Sequence, residues 1–387
     1  MGMTVEELRE MVKSIVAEAV EPLQKQTTDW MAKILAGASQ PKPERPEDKG
    51  LKAARYLRAL AAGKGDPERA ARYVAQKWGD EALVKALNET NLAEGGALVP
   101  PEYVAELIEL LRGRTVVRSL GATVLPMNSG SATIPKLTGG ATASYVGESS
   151  NITKSQPSTG QLQLSAKKLA ALVPTSNDLL RDSSPAADTV VRDDLVSALA
   201  LREDLGFIRD DGTAPKPKGM RYWAPAGNLV ASTGTTLAAI TADVAKMVNL
   251  LESANVRFLR PGWIMTPRSK WFLWQLLDSN GNPVFRAELN QGKFLTFPFR
   301  TSTQIPNNLG VGTNESEVYL ADFADMVIGE NTELIIDVST EAAYHDGTNV
   351  VAAFSRDETV MRAIARHDFG ARHEESIAVL TGVTWGA

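Results

Sequence analysis

The sequence lacks cysteine entirely and has only three histidines among 387 residues. Without thiols the chain can form neither a disulfide nor a thiolate metal site, which fits a reducing compartment without proving one. No apolar run approaches the roughly 18 residues that a membrane-spanning helix needs. The start, MGMTVEELREMVK, is acidic and amphipathic and does not resemble a secretory signal. We therefore expect no membrane partner and no disulfide-stabilised fold.

Positive charge is scarce in the main part of the chain. Residues 1 to 90 carry 15 Lys or Arg and 14 Asp or Glu, whereas the remaining residues carry 26 against 32, a net charge of −6. A mildly acidic surface does not attract phosphate backbones over long distances. The composition therefore argues against a sequence-reading nucleic-acid-binding protein, while 43% hydrophobic and 22% charged residues are typical of a globular protein.

A long helix is predicted near the centre of the chain. Ser184 suits the N-cap and Pro185 the first turn, so the helix should begin there and continue to Asp210. Gly212 then suits a turn, because glycine readily adopts a positive φ. An apolar stripe at helical spacing predicts one buried face and one solvated, acidic face. The stripe comprises Val191, Leu195, Ala198, Arg202 and Leu205, and the acidic residues mostly outside it are Asp193, Asp194, Glu203 and Asp204.

The first 90 residues predict a separate helical segment. Thr4 and Glu7 form a capping box at the start of an amphipathic helix. Residues 37–50, GASQPKPERPEDKG, contain three prolines and no large apolar residue, so they predict an extended linker. Three helices are expected after this linker, two of them capped by Asp66 and Asp80. Their predicted bounds are Leu51 to Ala62, Pro67 to Trp78 and Glu81 to Leu87.

A projecting hairpin is predicted in the middle of the chain. Ser131 to Lys136 predicts a strand and Gln161 to Val173 its return, with about two dozen mostly polar residues between them. So long a polar loop favours a hairpin that extends from the body. On the return strand the apolar residues change face near Lys167 and Lys168, which predicts a bulge or twist there.

The rest of the chain mixes helices and strands without a βαβ rhythm, which predicts the α+β class. Helices are expected from Thr241 to Ala254 and from Pro267 to Leu277, followed by a turn at Ser279 to Pro283. Strands are expected at Trp263 to Met265, Phe294 to Arg300, Val318 to Leu320, Met326 to Ile328, Leu334 to Val338, Val350 to Phe354, Val360 to Arg366 and Ile377 to Leu380.

Two sequence patterns have the residue types of a catalytic site. Ser165 and Lys168 match S-x-x-K, but that motif belongs on a helix and needs S-D-N or K-T-G partners, which the sequence lacks. Asp210 and Asp211 are adjacent carboxylates, as acid/base pairs require, yet at the end of a helix they are expected to cap and solvate a turn. A hydrolase that uses Ser165 or Asp210 remains an alternative class.

Metal and cofactor patterns are equally incomplete. The three histidines, His345, His367 and His373, do not form H-E-x-x-H, and we expect them at the surface or at strand ends. Residues 310–312, Gly-Val-Gly, lack the third glycine and the preceding strand of a dinucleotide-binding loop. We therefore predict no catalytic residue, cofactor or metal.

Several blocks of sequence together resemble the major capsid proteins of tailed bacteriophages, which have the Hong Kong 97-like fold. The similarity runs in order from about residue 91 to residue 387, and its specificity comes from the series of blocks. The blocks are EGGALVPPEYVAELIELL, SYVGESSNITKSQPSTGQLQLSAKKLAALVPTSNDLL, FIRDDGTAPKPKGM, GWIMTPRSKWFLWQLLDSNGNPVF, VYLADFADMVIGE and MRAIARHDFG.

The resemblance implies a division of the chain into the parts of that fold. The central helix becomes the spine of a peripheral domain, and an axial domain lies near the centre of each ring of subunits. The predicted parts are a helical scaffold-like segment at 1–90 with its linker at 37–50, an N-terminal arm and the entry to the peripheral domain at 91–130, an extended loop at 131–173, peripheral residues at 174–222 and 326–369, and axial residues at 223–325 with the C-terminal return at 370–387.

The resemblance also implies a function. We expect a structural protein without enzymatic turnover that assembles as pentamers and hexamers into an icosahedral shell around double-stranded DNA, bound without sequence specificity. Expected partners are other copies of the chain, a portal protein and a maturation protease, with assembly in the host bacterial cytoplasm and residence in the virion capsid. The candidate assembly residues are Gly147, Glu148, Lys154, Lys167, Lys168 and Arg202.

Three points separate this chain from some members of that fold. An encapsulin, a bacterial shell that stores protein cargo, is the alternative, but such shells generally lack a scaffold-like N-terminal segment. A Lys–Asn cross-link is not expected, because Ala353 occupies the acceptor position, although Lys154 lies in the loop and Asn349 in a comparable strand region. Any cleavage of the N-terminal segment is expected between Leu87 and Gly95.

Overall fold

The computed structural model describes residues 51–63, 66–88, 111, 114–127, 129–139, 145, 158–178, 185–331 and 335–387. Several sequence predictions lie outside these residues. They are the capping box of Thr4 and Glu7, the linker at 37–50, the Ser184 cap, and the assembly candidates Gly147, Glu148 and Lys154.

The described residues form helices and strands in mixed order, in agreement with the predicted α+β class. The helices are α1 Leu51–Ala62, α2 Pro67–Lys77, α3 Glu81–Asn88, α4 Val116–Ser119, α5 Pro185–Arg209, α6 Met220–Trp223, α7 Leu237–Ser253, α8 Pro267–Gln275 and α9 Arg286–Asn290. The strands are β1 Thr123–Pro126, β2 Ser131–Gly139, β3 Ser158–Ser165, β4 Lys167–Ser176, β5 Leu229–Ala231, β6 Pro261–Met265, β7 Lys293–Phe294, β8 Phe297–Thr301, β9 Ser316–Asp322, β10 Met326–Glu330, β11 Ile335–Ser339, β12 Ala343–His345, β13 Val350–Ala352, β14 Glu358–Ala371 and β15 Ile377–Val383.

The three N-terminal helices begin and end within one residue of their predicted bounds. Asp66 accepts hydrogen bonds from the backbone N–H groups of Glu68 and Arg69 at the start of α2, and Asp80 accepts one from Leu83 at the start of α3. These contacts satisfy amides that have no partner within the helix. Both predicted caps are therefore confirmed.

These helices share a hydrophobic cluster with the long helix α5, which the sequence did not predict. The buried residues of this shared cluster include Tyr56, Leu60, Val74, Leu83, Leu87, Leu195, Leu199, Met361 and Ala363. Helix α1 contacts both α5 and β11. The family division at residue 90 stays a prediction, but residues 51–88 belong to the same compact unit as the rest of the described chain.

The predicted hairpin is present, and its return changes sheets where the sequence indicated a slip. Strands β2 and β3 pair as an antiparallel hairpin, with Ser131 opposite Ser165. After Ala166 the chain continues as β4, which pairs instead with β14. Leu162 and Leu164 are buried on β3, whereas the inward residues of β4 are odd-numbered and include the buried Val173 and Thr175. The change of face lies at Ala166, one residue before the predicted position.

The peripheral sheet, as we call the five-stranded sheet, has the order β1-β10-β14-β11, with β4 also paired to β14. Strand β14 is 14 residues long and joins three neighbours. The odd-numbered residues of β4 and β14 pack into the cluster under α5 and α1, because side chains alternate between the two faces of a strand. The long helix therefore lies along one face of this sheet.

The second sheet, here called the axial sheet, has six strands in the order β5-β15-β9-β6-β8-β7. Helices α7, α8 and α9 contribute to its apolar cluster, in which Trp263 and Trp385 are fully buried. Helix α7 begins four residues earlier than predicted, since Thr236 caps it by accepting a hydrogen bond from Ala239 N–H. The predicted strand at Phe294 to Arg300 is a tight hairpin of two strands.

Two further predictions are corrected. Strand β13 stops at Ala352 and a 3-10 turn follows, so the predicted strand from Val350 to Phe354 is shorter. Helix α5 begins at the predicted Pro185 and ends at Arg209, one residue before the predicted end, but its outer face is not uniformly acidic and solvated, because Glu203 and Asp204 are buried. Within the described part of the chain, no helix has the length and apolar character needed to cross a membrane.

Candidate functional site

A buried cluster of charged side chains connects the long helix to two other elements. Arg118 on α4 donates from Nε to Glu203 Oε1 on α5 at 2.5 Å, and from Nη1 to Glu330 Oε2 on β10 at 3.0 Å. The side chains of Arg118 and Glu203 are only 2% and 1% exposed. Because charges in such surroundings are stable only when paired, the three elements are held in one arrangement.

Asp204 attaches the same helix to the start of α4. Its Oδ1 accepts a hydrogen bond of 2.8 Å from the Val116 backbone N–H, so a residue on α5 acts as the missing cap of α4. Burial raises the pKa of Asp204 to about 7, although this hydrogen bond opposes the shift. Burial likewise raises the pKa of Glu203, opposed by the charge of Arg118.

His367 lies beside this cluster in the middle of β14. It is 5% exposed, and its Nδ1 is 3.9 Å from Glu203 Oε2 while its ring contacts the edge of Phe207. Burial, together with the nearby positive charge of Arg118, lowers the pKa of His367 to about 3, which keeps the imidazole neutral at neutral pH. The prediction that this histidine lies at the surface or at a strand end is therefore wrong.

The other two histidines lie away from the cluster. His373 Nδ1 is 3.1 Å from Asp325 Oδ1 at the end of the peripheral sheet, and the exposed His345 accepts a hydrogen bond from Gly347 N–H in the turn of the β12–β13 hairpin. Among the described residues there is no group of three or more side chains that could hold a metal ion.

A second ion cluster joins the end of α5 to the axial sheet. Glu317 on β9 accepts hydrogen bonds from Arg209 Nε at 2.9 Å, from Arg221 Nε at 3.0 Å and from the Tyr319 hydroxyl at 2.6 Å. Burial raises the pKa of Tyr319, so its hydroxyl stays protonated as the donor. Glu317 is buried and fully bonded, which fixes the helix relative to this sheet.

The base of the β2–β3 hairpin is attached to the peripheral sheet. Leu162 and Leu164 lie against Gly370, where an added Cβ would come within 2.8 Å of Leu162, so a larger residue would displace these leucine side chains. Asp368 accepts a hydrogen bond of 2.7 Å from Ser165 N–H, and Lys136 pairs with Glu374 at 2.8 Å. The hairpin therefore leaves the body from a defined position.

The structure places the described assembly candidates on different elements. Lys167 Nζ donates to Ser165 Oγ at 2.6 Å where β3 meets β4, and Lys168 is exposed on β4. Arg202 lies on α5 and forms an ion pair with Asp210 at 2.6 Å. These residues do not form one common cluster, and their role in assembly stays a prediction.

The candidate catalytic residues have structural contacts. Ser165 and Lys168 lie on strands rather than on the helix that S-x-x-K chemistry uses. Asp210 pairs with Arg202, while Asp211 accepts from Thr213 N–H at 3.1 Å in the turn where Gly212 has the expected positive φ of 79°. The lysine that contacts Ser165 is Lys167 rather than the Lys168 of the S-x-x-K pattern, so the predicted motif pair is not brought together.

Sequence reasoning missed the residues that form both ion clusters. Arg118, Glu330 and Glu317 carry charge within the largely apolar stretches VVRS, MVIGE and SEVYLAD, whereas Glu203 stands between Arg202 and Asp204. An isolated charge inside a predicted buried element needs a partner. The sequence therefore indicates that such a charge has a buried partner, but it does not identify that partner.

Comparison with known proteins places this arrangement in a family. The model of the phage capsid family matches residues 95–382. The chain belongs to the phage capsid family. Its function is that of a bacteriophage major capsid protein, a structural subunit that self-assembles into a shell and forms part of the virion capsid. The encapsulin alternative is not favoured.

Two relatives within the phage capsid family show how far the similarity extends. The major capsid protein of Klebsiella oxytoca phage phiKO2 is 37% identical over 347 residues, which cover 88% of this chain and 81% of the relative. The capsid polyprotein of Pseudomonas phage PAJU2 is 26% identical over 79% of this chain, which spans 48% of that relative's length.

Solved capsid structures share the fold. A chain from Mycobacterium phage Adephagia is 20% identical with a TM-score of 0.51, over 69% of this chain and 89% of the other. The capsid of a native GTA particle computed with C5 symmetry is 16% identical with a TM-score of 0.52, over 69% and 90%. The predicted Hong Kong 97-like fold is thereby confirmed.

Proposed function

We propose that this capsid subunit assembles as pentamers and hexamers into an icosahedral shell that encloses double-stranded DNA without reading its sequence. The observation that best supports this proposal is the β2–β3 hairpin, which leaves the peripheral sheet from an anchored base. A two-stranded hairpin is marginally stable alone but gains partners when it lies across a neighbouring subunit. Contacts repeated around closed rings then add up to a durable shell.

The two ion clusters fit a subunit that transmits assembly contacts. The Arg118 cluster fixes the C-terminal part of the long helix to α4 and the peripheral sheet, and the Glu317 cluster fixes the last residue of the same helix to the axial sheet. Each copy therefore presents its hairpin and both sheets in one orientation, which a closed ring of identical contacts requires. We assign these clusters a structural role and predict no turnover.

The proposal also includes an assembly role for the N-terminal segment and two partner proteins, a portal protein and a maturation protease. We propose that residues 1–90 aid assembly, that a portal protein occupies one vertex, and that assembly takes place in the host bacterial cytoplasm. The relative from Pseudomonas phage PAJU2 is named a capsid polyprotein, and we propose that the present chain is processed by a maturation protease. Because Leu87 is fully buried in α3, cleavage of the peptide bond after Leu87 would require this helix to open.

Electron microscopy of the purified full-length protein tests the function. Uniform icosahedral particles are expected from the chain alone or with its phage partners, with nuclease-protected double-stranded DNA inside particles from infected cells. Particles that hold a protein cargo instead of DNA would support the encapsulin alternative. A protein that stays monomeric in every condition, including infected cells, would contradict shell assembly.

A further inference from the structure

An exposed aromatic patch lies on helix α8 of the axial part of the chain. Trp271 is 50% exposed, and its ring meets that of Trp274 edge to face with centroids 5.7 Å apart. The Lys270 ammonium lies 4.2 Å from the Trp271 ring centroid, and the Arg286 guanidinium lies 4.0 Å from that of Trp274. Both tryptophans thus carry a stacked cation.

The chain after α8 extends this patch. Leu277 and Val284 are 49% and 38% exposed on either side of a tight turn, which a bridge between Leu277 and Pro283 closes. Asp278 holds the turn by accepting hydrogen bonds of 2.8 Å from the N–H groups of Asn280 and Asn282. We define the Trp271 patch as Lys270, Trp271, Trp274, Leu277, Val284 and Arg286.

Two side chains of the patch are held by hydrogen bonds within the subunit itself. Trp274 Nε1 donates to Asn290 Oδ1 at 3.1 Å, and Arg286 Nε donates to the Trp274 carbonyl at 3.4 Å. On the opposite side of α8, Leu273 is fully buried in the axial core. Side chains that are already immobilised lose little entropy on binding, so such a patch suits a contact surface.

Its composition is that of an interface centre rather than of ordinary surface. Single exposed apolar residues are common on soluble proteins and need no explanation. Here two tryptophans, two aliphatic residues and two stacked cations are adjacent, and tryptophan and arginine dominate the residues whose loss weakens interfaces most.

The charge around the patch indicates how a partner binds. Lys270 and Arg286 give the patch itself positive charge, whereas residues 91 to 387 together carry a net charge of −6. Two such patches facing each other would repel, but the same patch is attracted to the acidic remainder of a second copy. Contact between two different surfaces of the same chain gives a head-to-tail arrangement, which closes into rings.

We infer that the Trp271 patch is the surface on which the next copy of this chain binds head-to-tail through an acidic, partly apolar face. This inference rests on the proposed function and adds to it a specific contact surface. The stacked tryptophans supply the desolvated centre, and Lys270 and Arg286 select the acidic face of the neighbour.

Variants at the patch test the inference in the full-length protein. Trp271→Ser is expected to raise the protein concentration needed for half-maximal particle formation by roughly tenfold or more, whereas Trp271→Phe should stay close to wild type. Lys270→Glu should also weaken assembly and Lys270→Arg should not. The melting temperature of the unassembled subunit should be unchanged in all four, because these side chains lie outside the core.

Hydrogen exchange gives a second readout that needs no variant. Amides of residues 267–286 should exchange more slowly in particles made from this chain alone than in unassembled subunits. Unchanged exchange would overturn the inference and leave a different protein as the occupant of the patch. Normal particles from Lys270→Glu and Trp271→Ser would overturn it as well, while leaving the proposed function intact. Failure of wild-type protein to form particles would contradict the proposed function itself.

Discussion

Arg118 joins parts of the chain that are far apart in sequence. Glu203 is 85 residues away in sequence and Glu330 is 212 residues away, yet both accept hydrogen bonds from its guanidinium. Burial by itself would lower the pKa of Arg118, but the two carboxylates raise it, so the side chain stays charged. The whole arrangement depends on that charge, since removing it leaves two acids without a partner.

The first prediction concerns this pairing. Arg118→Met should lower the free energy of unfolding of the unassembled subunit by about 3–5 kcal/mol, because Glu203 is left buried and unpaired. Arg362→Met is the matched control: Arg362 pairs with Asp337 at the surface, and loss of an exposed pair costs about 0–1 kcal/mol. Denaturant titrations measure both values. Equal, small effects of the two replacements would contradict the structural role of the cluster.

A second residue-scale prediction concerns pH. The pKa of His367 is about 3 in the folded protein and its ordinary value is 6.5, so the unfolded chain binds more protons between these limits and stability falls as the pH falls. His367 faces Glu203 directly, with Arg118, Glu330 and Arg202 as the other nearby charges. Asp204 acts in the opposite direction, because its raised pKa makes the folded state bind the proton more readily.

His367→Phe separates the two contributions, because Asp204 is unchanged in the variant. The melting temperature of the variant minus that of wild type should be higher at about pH 5 than at about pH 8. Thermal melts of unassembled subunits at the two pH values measure it, with His345→Gln as a histidine replacement outside the cluster. The same difference at both pH values would show that His367 is not held neutral by its surroundings.

At the scale of secondary-structure elements, helices α1 to α3 contribute to the stability of the subunit. They cover an apolar face of α5 and the peripheral sheet that includes Leu195, Leu199 and Met361. Each large side chain that is uncovered costs roughly 1.5–3 kcal/mol of burial. The assembly role that we propose for residues 1–90 is therefore combined, in residues 51–88, with a contribution to the stability of the subunit.

Two truncations separate these roles. Removal of residues 1–49 should leave the melting temperature of the unassembled subunit unchanged, because the helices that cover α5 remain. Removal of residues 1–88 should lower it by several degrees and favour aggregation, because the apolar face is exposed. Both proteins can be compared by calorimetry and light scattering. A protein lacking residues 1–88 that melts like the full chain would refute the stabilising role of α1 to α3.

At the scale of the whole molecule, we expect no covalent Lys–Asn cross-links between the subunits of the shell. The position at which the resemblance requires an acceptor asparagine holds Ala353, which is fully buried. Asn349 lies instead at the exposed turn of the β12–β13 hairpin, where Asp346 Oδ1 accepts its backbone N–H at 2.7 Å. Assembled particles are therefore expected to be held by non-covalent contacts alone.

Boiling purified particles in detergent checks this expectation. A single band is expected, at the 41.6 kDa of the full chain or at a lower mass after processing. A ladder of covalent oligomers would contradict it. Lys154→Arg particles would then identify the lysine involved, because that replacement keeps the charge while removing the ammonium group.

Local sequence determined the features that depend on neighbouring residues. The bounds of α1 to α3, the caps at Asp66 and Asp80, the long helix from Pro185 and the change of face after Leu164 all follow from spacing and capping chemistry within a few residues. The series of capsid-like blocks likewise indicated the fold. These predictions succeeded because helix periodicity, strand alternation and cap hydrogen bonds act over short stretches of chain.

Only the tertiary structure decided which charges are buried and which helices share a core. Glu203, Asp204 and His367 have the composition of surface residues, and their burial depends on Arg118, Val116 and Phe207, which other parts of the chain supply. The same holds for α1 to α3, whose apolar stripes did not identify α5 as their partner. Pattern and propensity show that a side chain needs a partner, but the partner is set by contacts between residues far apart in sequence.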